Sequence, residues 1–297
     1  MNGEAPRRDC LVGAGWVTES LPLFVPFEGT RPSRARLKAF AELSLVCAYL
    51  DDRWAGNGAP ARLAEHLSTW REFILRNCAD GRYVDSARGD AEHGLYLMQP
   101  YLWLRATGYR SQRHEEAIRD LHRIGCRPTS PGVLHSLWKA GYVRAEPEWS
   151  TLCRKEILRW TDGVESVDGP TAYFITHLLF YATDFGGHGL GLSARETDQI
   201  VWVVERLLVR GLRLGAWDLV VELLTDLACL GAGQESLRHR AAAALEHARL
   251  SSGALPANRD IEGTLRGTRS PAGGPIFARC YHPTLVDVLR CAIIAKR

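Results

Sequence analysis

Long apolar runs are absent from this chain of 297 residues. No stretch approaches the roughly 18 apolar residues that a membrane span needs. The first residues, MNGEAPRRDCLVGAG, also lack the apolar core and small-residue cleavage site of a secretory signal. We therefore expect a cytoplasmic protein with no membrane partner.

Lysine is scarce, because only four of the 37 basic residues are lysines, and the formal net charge is +3. A nucleic-acid-binding protein would need its cations clustered along one face. The arginines here are scattered, which is typical of solvent-exposed helix faces. No nucleic-acid partner is expected.

Paired cysteines and the common catalytic signatures are missing as well. The eight cysteines form no CxxC pair, and most lie in apolar helical pattern, as buried free thiols do. There is no Walker motif, GxSxG or HExxH, and GGHGLG follows a helical pattern rather than a strand. We expect no cofactor.

The chain does show helical periodicity. From Arg36 onward, apolar residues recur at intervals of three and four residues. Residues 1–34 show no sustained period and are expected to form an irregular arm, whereas residues 35–297 are expected to form one all-α domain. Helices are predicted at 36–50, 60–78, 90–107, 112–124, 129–141, 146–161, 171–186, 193–212, 215–230, 234–249 and 281–296. Ser130-Pro131 and the capping box Ser193–Glu196 mark two helix starts.

The predicted helices alternate between charge-poor and arginine- and glutamate-rich members. The charge-poor ones begin near 90, 129, 171 and 215, about 40 residues apart, which is typical of repeated helical hairpins. Closed into a ring, about six such hairpins make an α/α toroid with the apolar helices inside. An open solenoid of α-hairpins is the alternative.

In this plan the chain resembles α/α-toroid proteins such as class II terpene cyclases, prenyltransferase β-subunits and lanthionine cyclases. The resemblance is architectural, since neither DxDD nor a repeated QxxxGxW is present, and Asp51-Asp52 lacks the third Asp of DDxxD. The string TH…FY.TDFG is also similar to uncharacterised helical proteins of actinobacteria. Neither resemblance implies a specific activity.

Polar residues recur inside the apolar helices, most clearly in TAYFITHLLFYATDFGG, residues 171–187. Helical phase predicts that His177 and Asp184 share one face with Tyr173 and Tyr181. Two turns, about 10 Å, would separate His177 from Asp184, so both could border one cavity without a direct bond.

The other apolar helices also carry polar residues on one face. Residues 90–107 carry Glu92, Tyr96, Gln99 and Trp103 on one stripe, with His93 beside it. Residues 215–230 carry Asp218, Glu222 and Asp226, and His282 begins the last predicted helix. Any one of these side chains could simply be a hydrogen-bonded core residue. Their repetition on helices that should converge favours a site.

The function we expect is biosynthesis of a small, natural-product-like molecule by cofactor-free general acid–base catalysis, of cyclisation, condensation or isomerisation type. His177, Asp184, Glu92 and His93 are the candidate catalytic residues. The candidate substrate-binding residues are Tyr96, Gln99, Trp103, Tyr173, Tyr181 and His282.

Three alternatives remain open at this point. A zinc lyase or hydrolase could use His177, Asp184, Cys280 and His282, although their spacing matches neither the toroid prenyltransferases nor the lanthionine cyclases, and HExxH is absent. A glycosidase would need two carboxylates across a cleft, and Glu92, Asp218 and Asp226 are candidates. A helical-repeat binding protein would instead bind its partner on a concave face made from exposed helices, and it would tolerate substitution of His177 and Asp184.

Overall fold

A computed structural model gives the fold, and it describes residues 4–28, 31–54, 60–88, 90–128, 130–266 and 273–295. These residues are mostly helical, which confirms the predicted all-α class. The described strands are β1 (Phe27–Glu28) and β2 (Arg31–Pro32), paired antiparallel. None of the described helices is both long and apolar enough to cross a membrane.

The chain divides into two compact units. The N-terminal unit comprises Val17–Pro147, and the C-terminal unit comprises Glu148–Arg297 together with Met1–Trp16. The first helix, α1 (Glu4–Glu19), crosses the boundary. The N-terminal unit holds α2 (Arg34–Trp54), α3 (Ala61–Cys78), α4 (Gly81–Arg88), α5 (Gly94–Leu97), α6 (Gln99–Ala106), α7 (Gln112–Arg123) and α8 (Pro131–Lys139). The C-terminal unit holds α9 (Trp149–Glu156), α10 (Gly169–Ala182), α11 (Ala194–Leu214), α12 (Trp217–Leu230), α13 (Glu235–Ala248), α14 (Arg259–Leu265) and α15 (Gly274–Ala295). Short 3-10 turns lie at Leu21–Phe24, Leu158–Trp160 and Val164–Ser166.

Several helix boundaries follow from local side-chain chemistry. The Ser130 hydroxyl accepts from the Val133 amide at the start of α8, and Ser193 and Glu196 form a complete capping box at α11. Both starts were predicted. Gly215 ends α11 in the left-handed region (φ 65°), where a residue without Cβ is unstrained.

Within each unit, one of the charge-poor helices packs against two other helices. In the N-terminal unit α6 packs against both α2 and α8, and in the C-terminal unit α12 packs against both α10 and α15. Helix α12 is the most enclosed element there, because every side chain from Leu219 to Cys229 is buried. Polar residues on α12 must therefore find partners on its neighbours.

Four predictions about local structure need correction. The irregular arm contains α1, whose Cys10 and Trp16 are buried. The helix predicted at 90–107 is divided into α5 and α6, and the one predicted at 171–186 ends at Ala182. Residues 250–280, for which no helix was predicted, contain α14 and the start of α15.

Candidate functional site

The candidate site is centred on the Glu222 carboxylate, in the middle of α12. Its side chain has no exposed surface. Burying an ionised carboxylate is costly unless charged or hydrogen-bonding partners surround it. Helices α10 and α15 supply those partners.

Two histidines lie at one oxygen of this carboxylate. His282 Nε2 of α15 is 2.7 Å from Glu222 Oε1, and His177 Nε2 of α10 is 3.4 Å from the same atom. The His177 side chain is 43% exposed and that of His282 is 20% exposed. The cluster therefore joins a buried negative charge to two rings that solvent can reach.

Helix α10 supplies two further polar contacts on the same side. The Thr176 hydroxyl donates to the second oxygen of Glu222, Oε2. One turn earlier on each helix, the Tyr173 hydroxyl donates to Asp218 Oδ2 at 2.6 Å. Both oxygens of Glu222 are thus engaged, which fixes the carboxylate in one orientation.

The surroundings of the two buried carboxyl groups of α12, Glu222 and Asp226, shift their pKa values in opposite directions. Burial raises the pKa of Glu222, but the charges and hydrogen bonds of His177 and His282 outweigh it and bring this pKa well below its usual range. Burial and the negative charge of Glu222 raise the pKa of Asp226 well above its usual range. The surroundings therefore favour the ionised form of Glu222 and the protonated form of Asp226.

This arrangement suits proton transfer. A carboxylate that accepts a hydrogen bond from one ring nitrogen of a histidine fixes the tautomer and makes the other nitrogen more basic. Burial and hydrogen bonding to Asp218 raise the pKa of Tyr173, so its hydroxyl stays protonated beside the cluster. The site combines two proton-exchanging rings with a neutral hydroxyl.

Among the predicted site residues, Tyr173, His177 and His282 come together, and Asp184 does not lie where helical phase placed it. Asp184 follows the end of α10 and has a left-handed backbone (φ 44°). The shared face predicted for His177 and Asp184 is therefore wrong. Tyr181 packs edge-on against the buried Phe185, with ring centroids 5.7 Å apart.

The remaining predicted residues belong to the N-terminal unit. Glu92 lies in a turn before α5 with an 80% exposed side chain, so it does not share a helical stripe with Tyr96. His93 lies 3.4 Å from Asp90 Oδ1. Burial raises the pKa of Tyr96 to about 12. Gln99 and Trp103 are buried, and the Trp103 ring lies 5.6 Å from that of His135.

A zinc site is not formed by the predicted ligands. In the part of the chain that the structure describes, no three His, Cys, Asp or Glu side chains are arranged to hold a metal ion. Burial also raises the pKa of Cys280 to about 12, which opposes the thiolate that zinc requires. The 2.7 Å separation between His282 and Glu222 is a hydrogen-bond distance.

Glu222 and Thr176 were not among the candidate site residues predicted from the sequence, and Asp218 was a candidate only for the glycosidase alternative. The available signal was the spacing of Asp218, Glu222 and Asp226 at four-residue intervals on an otherwise apolar helix. That spacing predicts a carboxylate stripe. It does not show that His282, 60 residues later, meets Glu222.

Comparison with known proteins places the chain in a family without assigning an activity. A family model described as a domain of unknown function (DUF6895) matches residues 11–292. The chain belongs to this family. No curated protein and no solved structure matches it. The matched range includes every residue of the cluster, so the site lies within the family domain.

Proposed function

We propose that this DUF6895 protein is an enzyme that performs general acid–base catalysis on a small molecule, with His177 and His282 as the proton-transferring groups. The observation that carries the proposal is the pair of solvent-accessible imidazoles on one buried carboxylate oxygen. Glu222 is the positioning residue, because it holds both rings and is itself shielded from solvent.

The free-energy cost of burying the Glu222 carboxylate supports a functional role for the cluster. Burying a carboxylate between imidazoles costs free energy, and apolar residues of similar volume often stabilise a protein core equally well or better. Thr176 and the Tyr173–Asp218 pair add further polar groups on the same helices. Such a concentration at an accessible surface is typical of catalytic sites.

The reaction that we propose is the one expected from the sequence: cyclisation, condensation or isomerisation of a natural-product-like substrate.

The closed α/α toroid also remains a prediction. Small-angle X-ray scattering tests it, because six closed hairpins predict a compact particle and an open solenoid predicts an elongated one.

The test is hydrogen–deuterium exchange into small molecules in D2O, followed by NMR. The probes are small 2-oxo acids, α-amino acids and aldoses. We expect the wild-type protein to accelerate exchange in at least one of these classes. The variants His177→Gln and His282→Gln should lose 10²-fold or more of that rate, on the order expected for a general acid or base.

His239 provides the matched control. It lies in the same unit, its side chain is 47% exposed, and it faces Glu235 at 3.6 Å on the surface of α13. His239→Gln should keep the wild-type rate. If the wild type accelerates none of the probes, or if the His177 and His282 variants exchange as fast as the control, the proposal is wrong and a binding role replaces it.

A further inference from the structure

Arg279 lies on α15 one turn before His282. Residues three apart on a helix have neighbouring side chains, with Cβ atoms about 5–6 Å apart. Arg279 is exposed and the His282 side chain is 20% exposed, so solvent reaches both at this end of the cluster. A permanent positive charge therefore lies beside one of the two proposed proton-transferring rings.

The proline inside α15 fixes the backbone at this turn. Pro283 has no N–H, so the carbonyl of Arg279, four residues earlier, lacks its helical donor. The Ala257 amide donates to that carbonyl instead, at 3.0 Å. The Ala257 carbonyl in turn accepts from the Asp218 amide at the start of α12, also at 3.0 Å. These two bonds join the segment before α14 to two of the three helices that form the cluster.

The same segment brings a second arginine to this edge. Arg259 begins α14, and its amide donates to the Gly215 carbonyl at 2.9 Å. Its guanidinium lies over the ring of Trp217, 5.5 Å from the ring centroid. The side chain also lies against Gly215, where an added Cβ would come 2.9 Å from Arg259 Nε. Arg259 is thus held at the start of α12, two residues from the Ala257 that contacts Arg279.

Neither arginine has a carboxylate partner in the part of the chain that the structure describes, whereas neighbouring cations do. Arg266 of the segment after α14 pairs with Glu262, and Arg249 pairs with Asp287. An unpaired guanidinium offers two parallel N–H donors that match the oxygens of a carboxylate or a phosphate. Two such groups at one edge of the unit attract anions to it.

The carboxylates of α12 do not compete for these arginines, because they have other partners. Glu222 is bound by the two imidazoles, as described above. Asp218 accepts hydrogen bonds from the Tyr173 hydroxyl at 2.6 Å and from the Leu219 amide at 2.9 Å. The positive charge at this edge is therefore available to a ligand.

We propose that Arg279, assisted by Arg259, binds an oxyanion of the substrate, either a carboxylate or a phosphate, beside His282. This inference rests on the proposed acid–base function and names its substrate class as small anionic molecules. A guanidinium is not deprotonated in proteins, so Arg279 binds and orients the substrate and transfers no proton. Proton transfer remains the role of the two imidazoles.

The first test measures anion binding directly by NMR. The full-length protein, labelled with 15N at arginine, is titrated with inorganic phosphate and separately with acetate, at an ionic strength held constant with chloride. We expect the Arg279 Nε–H signal, assigned by its loss in Arg279→Gln, to move along a saturating curve. The anion that saturates it distinguishes phosphate recognition from carboxylate recognition.

Variants define which side chains bind the anion. Arg279→Gln should weaken the affinity, followed at the Arg259 signal, by about 10-fold or more, because charge-assisted hydrogen bonds are lost. Arg279→Lys should recover part of the affinity, since the charge returns without the paired N–H groups. Arg240, exposed on α13 and without an ion pair among the described residues, is the control, and Arg240→Gln should leave the affinity unchanged. Linear shifts of equal size at Arg240 and Arg279 would show general ionic screening and overturn the inference.

The exchange assay separates this inference from the proposed function. With an aldose phosphate or a 2-oxo acid as the probe, Arg279→Gln should raise KM by about 10-fold or more and leave kcat within about 3-fold of the wild type. Catalysed exchange that Arg279→Gln leaves unchanged would reject the anion site and leave the proposed function standing. Saturable anion binding without catalysed exchange would reject the proposed function and leave an anion-binding site at Arg279.

Discussion

Asp226 and Glu222 lie four residues apart on α12, yet their surroundings stabilise opposite protonation states. Glu222 has two imidazoles and a hydroxyl, whereas neither carboxyl oxygen of Asp226 has a hydrogen-bond partner among the described residues. Divergent proton affinities in neighbouring carboxyl groups are a recurrent property of acid–base sites. They also have consequences for stability.

At the residue scale, Asp226→Asn should stabilise the protein at pH 7. The pKa of Asp226 is raised in the folded state, so the unfolded chain releases a proton there and is favoured as the pH rises. An amide of the same shape removes this effect. We expect the melting temperature to rise by roughly 2–6 °C, the size of a shift of 1–2 kcal/mol in a domain of this size.

The gain should shrink as the pH falls and disappear near pH 4, where Asp in the unfolded chain is protonated as well. Thermal melts of the two proteins at pH 4 and pH 7 provide the measurement. A lower melting temperature for Asp226→Asn at pH 7 would mean that Asp226 is ionised and paired.

At the element scale, the end of α10 is set by a left-handed turn. Asp184 and Phe185 have φ values of 44° and 54°, and Gly186 follows at 81°. Two successive residues with side chains in this region cost about 1–2 kcal/mol each, so other contacts must impose it. Phe185 is buried and stacks on Phe180, and the Thr183 hydroxyl accepts from the Gly186 amide at 3.2 Å.

Substitutions of Asp184 test this description. Asp184→Asn should leave stability nearly unchanged, because asparagine tolerates the left-handed region. Asp184→Val should lower the free energy of unfolding by about 1–2 kcal/mol or more, since a β-branched residue does not. Urea denaturation of both variants gives the comparison. Equal stability of the two would show that the turn is not strained.

The turn after α10 also shows which features of the site could be predicted from the sequence and which could not. Apolar periodicity and caps such as Ser193–Glu196 predict helices well, because those signals are local. The stop at Ala182 depends on the burial of Phe185, which periodicity does not encode. The meeting of His177, Glu222 and His282 depends on how three helices pack, and helical phase within one segment cannot show it.

At the scale of the whole molecule, the two units carry buried titratable groups with opposite responses to acid. His114 in the N-terminal unit is buried, and its Nδ1 lies 2.7 Å from the Ser111 hydroxyl. Burial lowers its pKa from 6.5 to about 4. In the C-terminal unit, the raised pKa of Asp226 acts in the other direction.

Mild acid should therefore weaken the N-terminal unit first. A histidine with a lowered folded pKa contributes stability that is complete above about pH 6.5 and lost as the pH falls toward about 4. Hydrogen exchange at pH 7 and pH 5, corrected for intrinsic rates, should show loss of protection in α7, by up to roughly 10-fold, and little change in α12. Loss of protection in α12 alone would contradict this assignment.

The most direct test of the acid–base account compares deuterium-exchange rates in His177→Gln, His282→Gln and the double variant. Groups that act as one catalytic unit give non-additive losses, because removing either member already disables the unit. We expect each single variant to lose 10²-fold or more of the exchange rate and the double variant to lose little beyond that. Single variants with near wild-type rates, or losses that multiply in the double variant, would contradict a shared proton-transfer site on Glu222.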